Sequence, residues 1–86
     1  MPRVCVHGQL RQLAGGAGEH QLKAGTVLEL LRELECAYPA LNGWIVDERG
    51  LIRRHISVFV NGERGREHTT VATDGRVEIL QAITGG

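Results

Sequence analysis

One segment of the chain has the spacing of an amphipathic helix, whereas most other apolar segments alternate like β-strands. The helical segment opens on Thr26-Val27-Leu28-Glu29, a capping box in which the threonine hydroxyl and the glutamate satisfy free backbone amides. Pro39 follows shortly after its end. A single helix must bury its apolar face against another layer, and the remaining segments supply mainly strands. Its apolar face carries Val27, Leu30, Leu31, Leu34 and Tyr38.

Four stretches predict strands. Residues 3–7 alternate with a period of two, and residues 19–22 are extended after a glycine-rich turn, so the opening reads as a β-hairpin. Residues 55–60 end at an Asn-Gly turn, and residues 76–80 follow an Asp-Gly turn. One helix with about four to five strands predicts an α+β domain in which a mixed sheet packs on one main helix.

The glycine cluster at residues 15–18 invites a second interpretation, a phosphate-binding loop. It has neither the GxxxxGK[ST] nor the GxGxxG pattern, and no helix is predicted directly after it. We therefore interpret it as a turn.

Length and charge narrow the class of protein. The 86 residues predict a single domain over 1–86, with 82–86 as a flexible C-terminal tail. Ten basic and ten acidic residues balance, and neither sign forms a block in the sequence, which argues against nucleic acid or membrane as the main partner. Without a membrane-length apolar run or a signal peptide, a cytoplasmic protein is expected.

Cysteines and histidines predict no metal centre. Cys5 and Cys36 are far apart and lack CxxC spacing, so both are expected to be free thiols. Cys36 falls opposite the apolar stripe of the helix, where an ordinary surface cysteine is favoured over a catalytic one. The four histidines are scattered, without the spacing of zinc ligands.

The late strands predict a second, outward face. If Val77 and Ile79 face the helix, Leu80 points away from it, and the same alternation turns Phe59 outward. A sheet covered by one helix leaves its other face to solvent. Isolated exposed apolar residues are common, but two on one face beside the tail make a docking patch a reasonable hypothesis.

The sequence ends on Gly85-Gly86, directly after an apolar strand. Chance produces a Gly-Gly ending in a few per cent of glycine-rich chains, so the ending alone is suggestive. Its chemical use is clear, because residues without a Cβ can thread a carboxylate into a narrow active site.

Taken together, these motifs resemble the small sulfur carriers of the ThiS/MoaD type, which are ubiquitin-like β-grasp proteins. The resemblance rests on the Thr-capped helix ending near Tyr-Pro, the segment Val-Phe-Val-Asn-Gly-Glu at 58–63, and Asp-Gly-x-Val-x-Ile-Leu before the terminal Gly-Gly. It spans nearly the whole chain and implies a ubiquitin-like β-grasp.

The resemblance also implies a function. An E1-like enzyme would use ATP to adenylate the carboxylate of Gly86, a sulfur donor would convert it to a thiocarboxylate, and a biosynthetic enzyme would accept the sulfur. The chain would be a protein substrate and group carrier rather than an enzyme, with no bound cofactor. Gly85 would give steric access, and the expected partner-binding residues are Phe59, Leu80, Ala82, Ile83 and Thr84.

The branch within the family stays open. The molybdopterin type commonly has two prolines before its tail, whereas residues 80–83 here are Leu-Gln-Ala-Ile. This favours a carrier for cysteine, thiamine thiazole or secondary-metabolite synthesis, with a lean toward the CysO-like cysteine branch. Two alternatives remain: a ubiquitin-like modifier joined through Gly86 to lysines, and an interaction module with an incidental Gly-Gly end.

Overall fold

The computed structural model describes residues 1–23 and 25–81, within which seven strands and two α-helices are assigned. A 3₁₀ turn, Pro39–Leu41, follows the second helix. In chain order the elements are β1 (Arg3–Val6), α1 (Gly8–Leu13), β2 (Glu19–Gln21), β3 (Gly25–Thr26), α2 (Val27–Ala37), β4 (Ile56–Val60), β5 (Glu63–Arg64), β6 (Thr70–Val71) and β7 (Arg76–Gln81).

Five of the strands form one mixed sheet in the order β2-β1-β7-β4-β5. The central pair, β1 and β7, is parallel, and the other neighbours are antiparallel. Helix α2 contributes its buried side chains to the core beneath this sheet, so the predicted α+β architecture is confirmed. No helix within the described ranges has both the length and the apolar content needed to cross a membrane.

Helix α2 begins as the sequence predicts. The Glu29 amide donates to Thr26 Oγ1 at 3.3 Å, and the Thr26 amide donates to Glu29 Oε1 at 2.9 Å, which completes the capping box. Its apolar stripe is fully buried at Val27, Leu30, Leu31 and Leu34. Burial of each such side chain contributes about 1.5–3 kcal/mol, so packing, more than helix propensity, holds this element in place.

The core lies between α2 and the sheet and is almost entirely aliphatic. From the sheet it takes the inward residues of β1, β4 and β7. Those of β4 and β7 alternate with less buried residues, whereas in β1 the intervening Cys5 is also buried. Its main members are Val4, Val6, Leu10, Val27, Leu30, Leu31, Leu34, Leu41, Ile45, Ile56, Val58, Val77 and Ile79.

The opening hairpin is more elaborate than predicted. Strands β1 and β2 do pair antiparallel, but α1 lies between them and the expected turn only completes the connection. The sequence signal for α1 is weak, because six residues hold only one apolar repeat. In the structure Leu10 and Ala14 are buried and Leu13 is half-buried. Such a helix is stable only because the core receives its side chains. The short strands β3, β5 and β6 were also not predicted.

The connection from Leu41 to β4 is held by specific hydrogen bonds. Val46 and Ile52 form an isolated bridge, and the Arg53 amide donates to the Ile45 carbonyl at 2.9 Å. Asp47 closes the tip, since its Oδ1 accepts from the Arg49 amide at 2.8 Å and from the Leu51 amide at 3.1 Å. These bonds lower the pKa of Asp47, with the Arg49 side chain as the largest cause.

Candidate functional site

Strands β4 and β7 set the position of Gln81, the residue that precedes the C-terminal segment 82–86. Their antiparallel register places Ile56 opposite Gln81, Ser57 opposite Leu80 and Phe59 opposite Glu78. Gln81 is the last described residue, and it lies beside the start of β4. A further five residues can span at most about 18 Å.

The register confirms which residues of β4 and β7 face outward. Val58 and Ile79 are directly paired and are buried on the helix side. Phe59 and Leu80 therefore lie on the opposite face, here called the open face. The sequence assigned this face correctly from alternation alone.

Phe59 and Leu80 are less exposed than the sequence predicts. Both are half-buried, and the strongly exposed large apolar residues in the described ranges are Met1 at 63% and Leu51 at 42%. The cause is strand position, because β4 and β7 both have neighbours on each side. Cross-strand side chains lie about 5 Å away and shield part of each apolar group.

Charged side chains border the apolar residues of the open face. Glu78 pairs across the strands with Phe59 and forms an ion pair with Arg76 at 3.1 Å. Arg64, on the edge strand β5, pairs with Phe59 from the other side. The open face therefore has two half-buried apolar residues within a polar surround, a composition typical of a transient protein interface.

The residues expected to carry the chemistry lie outside the described ranges. Gly85 and Gly86, and the expected partner contacts Ala82, Ile83 and Thr84, all fall in 82–86. Their assignment stays a prediction. What the structure does place is the strand end to which they are covalently joined.

The two cysteines are free, as predicted, and occupy different environments. Cys36 is exposed on α2 and Cys5 is buried in β1. Near Cys36, burial raises the pKa of Glu35 above its ordinary value. Within residues 1–23 and 25–81, His, Cys, Asp and Glu side chains form no group of three that could hold a metal ion.

Sequence reasoning missed a cluster of arginines beside the start of β4. Arg53, Arg54, Arg64 and Arg66 line one cavity, and Arg49, Arg53 and Arg54 line the cavity next to it. The sequence analysis takes the basic residues as dispersed, which is true along the sequence but not in the folded chain. The only sequence signal is Arg53-Arg54, a pair too short to indicate a site.

Glu67 connects the two chain segments that carry these arginines. It is 6% exposed, its Oε2 accepts from the Ile52 amide at 2.8 Å, and its Oε1 lies 3.6 Å from Arg66 Nε. The bond from Ile52 is the largest cause that lowers the pKa of the Glu67 carboxyl. Glu67 thereby ties the 52–54 loop to the segment that follows β5.

We expect Glu67→Ala to lower the free energy of unfolding by about 1–2 kcal/mol, because the Ile52 amide loses its acceptor. Glu67→Gln keeps an amide oxygen and should lose less. Since folding lowers the Glu67 pKa, its stabilisation is present above the ordinary glutamate pKa of about 4.3 and is lost as pH falls through the folded value. Urea unfolding of both variants at neutral and acidic pH tests this; equal losses for Ala and Gln would contradict it.

Comparison with known proteins agrees with the architecture. A chain of the Amycolatopsis orientalis BexX/CysO complex is 29% identical, with a TM-score of 0.89 and full coverage of both chains. Mycobacterium tuberculosis CysO is 25% identical, with a TM-score of 0.86, 96% of this chain covered and 100% of that one. Small archaeal modifier protein 1 from Methanosarcina acetivorans is 27% identical, with a TM-score of 0.85 and coverages of 99% and 95%. These similarities confirm the ubiquitin-like β-grasp.

Sequence comparison identifies the family. No curated protein matches the chain significantly. The sequence profile of the ThiS family, however, matches residues 4–86, which includes the strands of the open face and continues through the Gly-Gly end. The chain therefore belongs to the ThiS family.

Proposed function

We propose that the chain is a sulfur carrier whose reactive group is the carboxylate of Gly86. The observation that carries the proposal is the ThiS family match, which continues through Gly86. The sheet supports it, because Gln81, the last residue of β7, lies beside Ile56 at the start of β4. Residues that follow such a strand end can enter a partner's active site while the domain stays outside.

The chemistry asked of the chain is limited to one carboxylate. A Gly86 oxygen attacks the α-phosphorus of ATP in an E1-like enzyme, and the bond to pyrophosphate breaks to give an acyl adenylate. A donor protein's persulfide then attacks the carbonyl carbon and AMP leaves. A thiol next attacks the donor-side sulfur, is oxidised to a disulfide with it, and releases the thiocarboxylate. The partner supplies ATP binding and catalysis, so the carrier works as substrate, not enzyme.

The sulfur acceptor we propose is an enzyme of biosynthesis, with cysteine synthesis first. The similarity to two CysO chains at 29% and 25% identity supports this branch. The Amycolatopsis orientalis structure is a complex of BexX with CysO, which supports delivery of the sulfur while the carrier is bound to a partner protein.

A second candidate function is protein modification through Gly86. The 27% identity to a small archaeal modifier protein supports it. Both functions share the adenylate and differ only in the nucleophile that follows, a sulfur donor or a lysine amine.

Intact mass spectrometry separates the two. The chain is incubated with its adenylating enzyme, Mg-ATP and a persulfide donor, and then measured whole. Replacement of one oxygen by sulfur supports the carrier, whereas higher-mass conjugates to other proteins support the modifier. The enzyme's activity is checked by pyrophosphate exchange with another carrier. If that enzyme is active and the mass of this chain stays unchanged, both the carrier and the modifier function are contradicted.

Phe59→Ala tests the open face as the docking surface. We expect kcat/KM for adenylation to fall about tenfold or more, as for a buried apolar group at a protein interface. The free energy of unfolding should fall by only about 1–2 kcal/mol, less than for a fully buried Phe. Activation kinetics and urea unfolding of the same preparation give both values. If the variant is largely unfolded but its folded fraction is activated normally, Phe59 belongs to the core instead.

A further inference from the structure

A cavity of about 150 Å³ lies beside the edge strand β5, between that strand and the 52–54 loop. Its lining combines two kinds of group, arginines and aliphatic side chains. A neighbouring cavity of about 260 Å³ shares Ile52, Arg53 and Arg54 with it. Together we call them the arginine cavity. Its lining includes Arg49, Arg53, Arg54, Arg64 and Arg66, and the second cavity is also lined by Asp47 and His55.

The positive charge of this cavity is only partly neutralised. Arg49 pairs with Asp47 at 2.8 Å, and Arg66 has a longer contact with Glu67. No ion pair of the described residues involves Arg53, Arg54 or Arg64. In a chain with no net charge, a concave site with this excess attracts anions selectively, because low-dielectric walls focus the field.

Arg53 supplies a second, independent observation, an unpaired donor in the wall of the cavity. Its Nε is buried and has no hydrogen-bond acceptor among the residues that the structure describes. Buried donors are nearly always paired. Since no described residue neutralises it, the Arg53 guanidinium keeps its charge for an incoming carboxylate.

The backbone around the cavity is fixed before any ligand arrives. Arg53 is anchored through its amide to Ile45, Ile52 through its amide to Glu67, and Gly65 donates to the Val58 carbonyl at 2.7 Å. Preorganised groups lose little conformational entropy on binding.

The cavity also lies next to the surfaces that the proposed function uses. Ile56 lines it and pairs with Gln81, where the C-terminal residues begin. Arg64 lines it and pairs with Phe59 of the open face. The C-terminal residues therefore begin beside the rim of this cavity.

We propose that the arginine cavity receives a glutamate or aspartate side chain from an acidic segment of the protein that binds the C-terminal residues. This rests on the proposed function. The mixed lining favours a side chain over a free inorganic oxyanion: the half-buried Ile52 suits a methylene stem, and the arginines bind its carboxylate with paired N–H donors. An inorganic oxyanion or a nucleic acid would leave the aliphatic wall unused.

The test is an NMR titration of the full, ¹⁵N-labelled chain with acetyl-hexaglutamate-amide at low salt. Saturable shifts are expected at the Arg53 and Arg54 side-chain Nε–H groups and at the Gly65 amide, and none with the hexaglutamine peptide. Inorganic phosphate and a thymidine hexanucleotide are titrated separately. Tighter binding of either one than of hexaglutamate overturns the proposal, as does the absence of saturable binding.

Matched variants assign the binding to the cavity. Arg53→Gln/Arg54→Gln should weaken hexaglutamate binding at least tenfold. Arg3→Gln/Lys23→Gln removes the same charge from exposed positions in β1 and just after β2, near the opposite edge of the sheet. This control should change hexaglutamate binding less than twofold. If both double variants lose the same affinity for hexaglutamate, the binding is nonspecific charge attraction and the proposed site is contradicted. If the first pair does not fold, Arg54→Gln/Arg64→Gln replaces it, since both residues are exposed.

The titration is independent of the carrier chemistry. Peptide binding without thiocarboxylate formation would contradict the proposed function and keep the acidic-segment site. Thiocarboxylate formation without peptide binding would support the proposed function and contradict the acidic-segment site.

Discussion

Deletion of Gly86 is expected to abolish thiocarboxylate formation and to leave the free energy of unfolding nearly unchanged. Activation needs a carboxylate at one position in the partner's active site, and removal of one residue withdraws it by about 3.5 Å. Misplacement by as little as 1 Å can slow a positioned reaction about a hundredfold. Intact mass after activation gives the first quantity, and urea unfolding the second.

The matched control adds a residue instead of removing one. An alanine placed after Gly86 keeps every native residue but moves the carboxylate onward, so it too should block activation. Residues 82–86 follow the strand end at Gln81, and terminal residues contribute little stability. Loss of several kcal/mol on deletion of Gly86 would show a structural role and contradict the carrier proposal.

Ile79→Ala is expected to produce the largest loss of stability among substitutions on β7, about 2–5 kcal/mol. Ile79 is completely buried and pairs directly with Val58 across the centre of the sheet. The substitution leaves a cavity that an aliphatic core closes only partly. For a small domain this is a large share of the total stability.

Leu80→Ala is the control, one residue further along the same strand. Leu80 is half-buried on the open face, so its truncation should lower the free energy of unfolding by only about 1 kcal/mol while it weakens activation. Urea unfolding of both variants gives the comparison. Equal losses of stability would mean that the open face is covered by structure and is not a docking surface.

Local patterns predicted much of the fold. The capping box at Thr26, the helical stripe and the Asn61-Gly62 turn are each written in a few adjacent residues. Asn61 and Gly62 have φ values of 51° and 85°, which these two residue types tolerate best. The faces of β4 and β7 followed from period-two alternation, because a shift of one residue would move every side chain of the strand to the opposite face of the sheet.

Other features could not be predicted because their stability comes from distant contacts. Helix α1 depends on a core that receives Leu10, and β5 depends on pairing with β4. The half-burial of Phe59 follows from its neighbours in the sheet and not from the alternation of its own strand. Each of these is a property of pairs far apart in sequence.

By itself the sequence determined which residues of α2, β4 and β7 face the core, where the main helix starts, and that a glycine-ended segment follows the last strand. These features depend on local backbone preferences and on apolar spacing. Only the tertiary structure decided that the last strand ends beside the start of β4 and that Arg53 and Arg54 lie beside Arg64 and Arg66. Charge in a linear chain with ten basic and ten acidic residues looks dispersed. Folding concentrates it, since strand pairing and the Glu67–Ile52 bond bring separate segments to one edge of the sheet.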